Sequence, residues 1–172
     1  LEELTFDLDS DFNKPIELNN KIRKLVLPNK FNQLIKLTGN LKYLKFGHQF
    51  NQPVSVFPKS LEYLEFGNKF NHPVNLLEYQ IKYLYFGDDF NQQIEQLPKT
   101  IINLWFGWNF NQPVNNLLTN LSNNIEYLRF GYNFNQPIKV VPNNIKNIIL
   151  SDTYNCAIKK ELEDKIDFIK YL

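Results

Sequence analysis

The sequence predicts a repeat solenoid in which each coil of about 20 residues contributes one short parallel strand. A Phe-Asn pair, written Tyr-Asn in its last copy, recurs eight times at spacings of 19 to 24 residues. Each pair follows an apolar pattern, clearest as Leu-x-x-Leu-x-Phe-Gly at 61–67, that alternates like a strand with one buried face. Self-similarity at this period indicates an array of stacked units.

The repeating unit itself indicates how each coil turns. Counted from its first apolar residue, the unit that begins at Leu61 has Leu at positions 1 and 4, Phe at 6, Gly at 7, Phe-Asn at 10 and 11, and Pro at 13. Glycine at position 7 suggests a corner that needs a conformation other residues disfavour. Proline in the return limb disfavours helix because it lacks an amide donor. We therefore expect little helix within the array.

Two kinds of residue are expected to line up along the stack. The phenylalanines at positions 6 and 10 should form two buried aromatic columns. The Asn at position 11 should form a structural ladder inside the stack that bonds to open backbone groups, because an unpaired buried amide costs about 1–3 kcal/mol. The predicted ladder residues are Asn13, Asn32, Asn51, Asn71, Asn91, Asn111, Asn135 and Asn155.

The array of eight repeats is expected to span residues 1–157. Beyond it, apolar residues recur every three or four positions, which predicts an amphipathic capping helix over 158–172, with dimerisation as the alternative role. Residues 115–124 lengthen one unit and are expected to bulge as a surface loop, either a tolerated insertion or a recognition loop. The chain has no methionine, so we expect that the native protein begins upstream of Leu1.

Composition narrows the function. With 19 basic and 18 acidic residues the net charge is +1, which indicates no nucleic-acid partner. No apolar run approaches the roughly 18 residues of a membrane span. The single cysteine, Cys156, cannot form an internal disulfide, and zinc-binding spacing is missing, so a cytoplasmic location is expected.

Catalytic, metal-binding and cofactor-binding residues are not predicted, and we expect a protein that is not an enzyme. His48 and His72 fall at different repeat positions, so they would lie on different sides of the coil. Asp88 and Asp89 are adjacent carboxylates that we interpret as a solvated turn. Neither a phosphate-binding loop nor an HExxH pattern is present in the sequence.

The full pattern, Leu-x-x-Leu-x-Phe-Gly-x-x-Phe-Asn-Gln-Pro-Ile/Val-x-x-Leu-Pro, resembles the FNIP repeat, a relative of the leucine-rich repeat found in amoebae and in giant viruses that infect them. The resemblance covers residues 1 to about 158, with Pro28 in place of Gly and with Gln93 and Ala157 in place of Pro. It implies a leucine-rich-repeat-like, right-handed β-solenoid that binds proteins in the cytoplasm, or in the host cytoplasm if the protein is viral.

Many FNIP proteins carry an F-box before the repeats. The resemblance therefore also implies a substrate receptor of a Skp1-cullin ubiquitin ligase. The sequence contains no F-box, so one would have to lie upstream of Leu1.

In such a solenoid, positions 2, 3 and 5 of the repeat face outward on a concave sheet. Units 5 to 7 place aromatic residues and an arginine there or just past the corner, and these residue types dominate binding hot spots. The predicted protein-binding residues are Tyr83, Tyr85, Trp105, Trp108, Tyr127, Arg129 and Tyr132. Alternatives are tyrosines that only stack on one another, as for Tyr43 and Tyr63, a carbohydrate-binding surface, and a stand-alone structural scaffold.

Overall fold

The computed structural model of the chain describes residues 1–37, 39–74, 80–121, 124–158 and 160–169. In these residues every strand belongs to one parallel sheet, in which each strand pairs with the next one along the chain. The strands are β1 (Glu3–Thr5), β2 (Lys24–Val26), β3 (Tyr43–Lys45), β4 (Tyr63–Glu65), β5 (Tyr83–Tyr85), β6 (Asn103–Trp105), β7 (Tyr127–Arg129), β8 (Asn147–Ser151) and β9 (Ile166–Ile169). The predicted solenoid is confirmed.

The strand register follows the repeat. Tyr43 pairs with Tyr63 and Tyr63 with Tyr83, so position 3 of each coil meets position 3 of the next. The central residue of each three-residue strand, β1 to β7, points inward, and Leu64 and Leu84 are fully buried. Burying such a leucine contributes about 1.5–3 kcal/mol. Positions 3 and 5 are thereby left on the outer face of the sheet.

Phenylalanine rings fill the interior in two columns, as predicted. Within the coils of β3 to β7, the rings at positions 6 and 10 stack nearly parallel with centroids 3.8 to 4.0 Å apart. Rings of neighbouring coils lie 5.4 to 5.7 Å apart in the position-6 column. In the position-10 column the corresponding distance is 6.0 to 6.4 Å.

These distances show how the solenoid curves. Equivalent rings are related by the step from one coil to the next, so the centroid distance measures that step at each depth. Parallel strands lie about 4.8 Å apart. The distance between neighbouring coils is larger at the position-6 rings and largest at the position-10 rings. The sheet therefore lies on the concave side.

The asparagines at position 11 form a continuous line of hydrogen bonds. The backbone N–H of each one donates to the side-chain Oδ1 of the asparagine one coil earlier, at 2.9 to 3.1 Å, from Asn13 to Asn155. The side chains were expected inside the stack. They lie instead at its surface, exposed or half-buried, because the neighbouring phenylalanine at position 10 occupies the interior.

Glutamine at position 12 adds a second bond that the sequence analysis did not anticipate. Its Nε2 donates to the same Oδ1 at 3.0 to 3.2 Å, as for Gln52 and Gln112. His72 occupies this position in its coil, and its Nε2 contacts the carbonyl oxygen of Asn51 at 3.0 Å. Where glutamine is present in these coils, the amide oxygen of the asparagine thus accepts a backbone and a side-chain bond, which links three polar groups across the coil interface.

Glycine at position 7 serves a different purpose from the one predicted. None of these glycines has a left-handed φ, so conformational freedom does not explain them. A Cβ built on Gly87 would lie 2.1 Å from the carbonyl oxygen of Gly67, and one on Gly107 would lie 2.2 Å from that of Gly87. In the five coils of β3 to β7 glycine is required because successive backbones touch at this position, whereas Pro28 and Ser151 occupy it in the coils on either side.

The lengthened unit also differs from the prediction. Residues 115–124 were expected to bulge as a surface loop, but Asn115–Asn120 form a short helix, α1. Leu117 and Leu118 on this helix, and Leu121 just after it, are buried in the core. The insertion therefore turns apolar side chains inward. The free energy gained by burying them offsets the conformational entropy lost when the extra residues become ordered. Residues 122 and 123 lie outside the described residues.

The C-terminal segment is not the amphipathic helix predicted over 158–172. Lys160–Lys165 form a 3₁₀ helix, and Ile166–Ile169 form β9, which pairs with β8. The exposed edge of a parallel sheet presents unpaired N–H and C=O groups, and a ninth strand satisfies those of β8. Asn147 also donates a hydrogen bond to Asp167. Residues 159 and 170–172 lie outside the described part.

We expect Gly87→Ala to lower the free energy of unfolding by about 1–3 kcal/mol, because the methyl group would overlap the backbone of the preceding coil. Urea denaturation followed by circular dichroism measures the loss. Gly39→Ala is the matched control, since nothing lies within 4 Å of a Cβ built there. Equal midpoints for the two variants would show that the close approach at position 7 is not limiting.

Candidate functional site

Three neighbouring strands present the predicted aromatic residues on the concave face. Position 5 of the repeat is Tyr85 in β5, Trp105 in β6 and Arg129 in β7. In the sheet register Tyr85 pairs with Trp105, and Trp105 pairs with Arg129. The side chains at position 4 point into the core, so these three point outward. The structure therefore brings them together in one row across the sheet.

Trp105 lies at the centre of this row. The ring of Tyr85 meets it edge to face, with centroids 4.8 Å apart and planes at 80°. The guanidinium carbon of Arg129 lies 5.4 Å from the Trp105 ring centroid, which is a cation–π distance. Contacts on two sides hold the indole in one orientation, so little side-chain entropy remains to be lost when a ligand binds.

A second aromatic pair lies just past the corner at position 8. Trp108 stacks on Tyr132 of the next coil, with centroids 4.7 Å apart and planes at 21°. The Trp108 side chain is nevertheless 39% exposed. Its backbone N–H points to the Asp88 carboxylate at 3.4 Å, and Asn68 Nδ2 donates to the other oxygen of Asp88 at 2.6 Å. Asp88, predicted as part of a solvated turn, is thus half-buried and hydrogen-bonded.

The two remaining predicted residues flank the row at position 3. Tyr83 and Tyr127 are exposed and lie on either side of Asn103 in the sheet register. The ammonium nitrogen of Lys146 lies over Tyr127, 5.9 Å from the centroid of the tyrosine ring. Tyr43 and Tyr63, further along the same column, stack closely at 4.1 Å and 9°. Stacking dominates at Tyr43 and Tyr63 and gives way to exposed rings at Tyr83 and Tyr127.

A surface cavity of about 500 Å³ runs between the position-5 and position-8 columns. Gly87, Gly107 and Gly131 line its floor, because position 7 carries no side chain. Tyr85 and Trp105 border it on one side, and Asp88 and Trp108 on the other. We call this cavity the glycine groove. It combines aromatic surface with a few fixed polar groups, which is the usual character of a ligand site.

One end of the glycine groove is acidic. Glu65 lines this end, accepts a hydrogen bond from the Tyr63 hydroxyl at 2.6 Å and forms an ion pair with Lys45 at 2.9 Å. Asn68 and Asp88 also line the groove. The sequence analysis assigned none of these three to a site. The available signal was their repeat position, since Glu65 shares position 5 with Trp105, and Asn68 and Asp88 share position 8 with Trp108.

The tyrosines beside the groove remain protonated well into the alkaline range. Burial raises the pKa of Tyr63, and the adjacent Glu65 carboxylate raises it further. Burial likewise raises the pKa of Tyr85, although a hydrogen bond with Asn103 acts against it. Both hydroxyl groups therefore keep their protons to a higher pH than an ordinary tyrosine does.

Other possible sites are weaker. His48 and His72 occupy positions 8 and 12 of their coils, and His72 contacts the carbonyl oxygen of Asn51. The described residues include no group of three or more His, Cys, Asp and Glu side chains that could hold a metal ion. None of the helices in that part of the chain combines the length and the hydropathy that a membrane crossing requires.

Comparison with known proteins agrees with the repeat architecture. The family model described as FNIP Repeat matches residues 31–69, 70–107, 115–141 and 134–162, which is more than half of the chain. A similar solved structure is described as the crystal structure of CroV588, a novel circular LRR protein; it is 35% identical, with a TM-score of 0.83. The alignment covers 92% of this chain and 26% of that chain. A search of curated proteins gives no match.

We expect the wild-type protein to lose stability as pH rises above about 10, partly through Tyr63. A group whose pKa is raised by folding contributes stability below its unfolded pKa, near 10.0, and that contribution is lost as pH rises towards the folded value. Urea midpoints at pH 8 and pH 11 measure the loss. It should be smaller in Tyr63→Phe, whereas Tyr127→Phe, which changes an exposed ring, should behave as wild type. An equal loss in all three proteins would contradict this role for Tyr63.

Proposed function

Because the chain belongs to the FNIP repeat family, whose leucine-rich-repeat-like solenoid is generally a protein-interaction scaffold, we propose that its concave face binds a protein partner. The observation that supports this most is the glycine groove with its ordered aromatic border. Tyr and Trp supply contact area at low entropic cost, and together with Arg they are the residue types enriched at interface hot spots.

The binding surface is the set predicted from the sequence: Tyr83, Tyr85, Trp105, Trp108, Tyr127, Arg129 and Tyr132. Tyr85, Trp105, Trp108 and Arg129 line the glycine groove and form its centre. Tyr83, Tyr127 and Tyr132 form the surrounding rim. Solvent-excluding rims around a few central anchors are typical of interfaces between proteins.

A protein partner fits this surface better than a carbohydrate. A sugar ring binds by lying flat on an open aromatic face. Here Arg129 lies over the ring of Trp105, and Trp108 stacks against Tyr132. One face of each indole is therefore already in contact with a neighbour, and the two indoles serve better as walls for a side chain than as platforms.

The finer role that we propose is substrate recognition within an F-box type ubiquitin ligase. Its support is the family resemblance alone, in which F-box domains precede FNIP repeats. In this role an F-box upstream of Leu1 would bind Skp1 and cullin, and the solenoid would hold the substrate. Purification of the full-length native protein with recombinant Skp1 tests this role. Failure to form that complex would remove the ligase role and leave the binding surface in place.

We expect Trp108→Ala to weaken binding of a peptide or protein ligand by about 2 kcal/mol or more, which is roughly thirtyfold, because the residue is an aromatic anchor beside the groove. Trp105→Ala should have an effect of similar size. Selection of a displayed random-peptide library on the wild-type protein supplies ligands, and titration calorimetry measures affinity.

Val56→Ala is the matched control for these variants, because Val56 is 70% exposed and lies on the return limb, away from the sheet. Circular dichroism checks that all variants are folded. A glycan array run in parallel tests the carbohydrate alternative. Peptide binding that survives in a folded Trp105→Ala/Trp108→Ala double variant would rule out this surface.

A further inference from the structure

The glycine groove has a direction and a length. It extends from the coil of β4, which contributes Glu65, to the coil of β7, which contributes Arg129. It therefore crosses the strands and runs along the solenoid axis. Three steps between parallel strands correspond to about 14 Å. An extended polypeptide covers that distance with about four residues.

The floor of the groove suits a polypeptide backbone. Gly87 and Gly107 are half-buried there and present main chain without side chains. A ligand backbone can therefore approach closely, which is a recurrent use of glycine in binding sites. The ligand's side chains would then lie against the walls formed by Tyr85 and Trp108.

The two ends of the groove carry opposite charges. Glu65 and Asp88 line one end, and each carboxylate is already oriented, Glu65 by Tyr63 and its ion pair with Lys45, and Asp88 by Asn68. Because Lys45 offsets the charge of Glu65, Asp88 contributes most of the negative charge at this end. The Arg129 guanidinium lines the other end, oriented by the Trp105 ring beneath it. Charges fixed in this way need little rearrangement on binding, and complementary charges on a partner determine its specificity and register.

We propose that the glycine groove binds an extended segment of a partner protein that carries a lysine or arginine at the acidic end and an aspartate or glutamate about three to four residues away, at the Arg129 end. The proposal rests on the protein-binding function proposed above and specifies the chemistry of the partner. The cation would lie against the aromatic faces of Tyr85 and Trp108 and near Asp88, which combines cation–π attraction with charge pairing.

The geometry argues against a nucleic acid at the same place. A phosphate backbone carries negative charge along its whole length. Asp88, together with Glu65 in its ion pair with Lys45, would not attract it at one end, and Arg129 is the one cationic side chain among the described residues that line the groove. A segment with one charge of each sign satisfies both ends.

The test uses the displayed random-nonapeptide library selected on the folded chain. The expected result is enrichment of peptides with a basic and an acidic residue three to five positions apart. A synthetic peptide from the enriched set should lose tenfold or more in affinity when its acidic residue is replaced by lysine. The Arg129→Glu variant should restore binding of that lysine-substituted peptide, because the pair then has opposite charges again.

Matched charge changes outside the groove serve as controls. Lys36→Glu is the control for Arg129→Glu, because both variants make the net charge more negative by two units. Glu95→Lys is the control for Asp88→Lys in the opposite direction. Both controls alter exposed residues of the return limb. Position 5 already carries glutamate in β4, so the Arg129→Glu variant should fold. Asp88→Lys should abolish the preference for a basic residue at the acidic end. Asp88→Asn keeps the shape and removes the charge, and should reduce the same preference if Asp88→Lys does not fold.

The outcomes separate the two proposals. Enriched peptides whose binding requires Trp108 but shows no charge preference would overturn this inference and leave the proposed function standing. A library with no enrichment that depends on Trp105 or Trp108 would overturn both. Equal effects of Arg129→Glu and Lys36→Glu would show that net charge alone, and not the groove, governs binding.

Discussion

Contact between successive backbones at position 7 is the constraint on which the rest of the structure depends. The carbonyl oxygen of Gly67 occupies the place that a side chain on Gly87 would take, so neighbouring coils come as close as main chains allow. Parallel strands can then pair on one side of this contact, and aromatic rings can stack on the other. The Asn-Gln hydrogen bonds close the same corner, and the polar groups of the turn gain partners in the adjacent coil.

The repeat separates residues that build the solenoid from residues that can vary. Position 4 faces the core, and positions 7 and 11 hold one coil against the next. Position 5 faces solvent and is Lys45, Glu65, Tyr85, Trp105 and Arg129 in successive coils. Substitution in this row changes the chemistry of the concave face without changing the stack. Lys45 and Glu65 form an ion pair, whereas Tyr85 and Trp105 form an aromatic border two coils further on.

The sequence was sufficient to predict the strands and the aromatic columns, because both follow from residue types that recur in every coil. It did not reveal why position 7 is glycine, since a left-handed corner and a close backbone contact select the same residue. At the C terminus, the spacing of Ile158, Leu162 and Ile166 suits a helix, but the open edge of β8 favours a strand, and that edge exists only in the assembled sheet. The aromatic part of the site was predictable from position 5. The roles of Asn68 and Asp88 were not, because they depend on how close the corner lies to the strand.

The curvature of the solenoid has a consequence for recognition. Since the step between coils is shortest on the strand side, side chains that project from that face converge towards their tips. In the row of Tyr85, Trp105 and Arg129 this convergence brings neighbouring side chains into direct contact, with the ring centroids of Tyr85 and Trp105 4.8 Å apart. A ligand lying along the solenoid axis therefore meets a closed row of side chains, without gaps between consecutive coils.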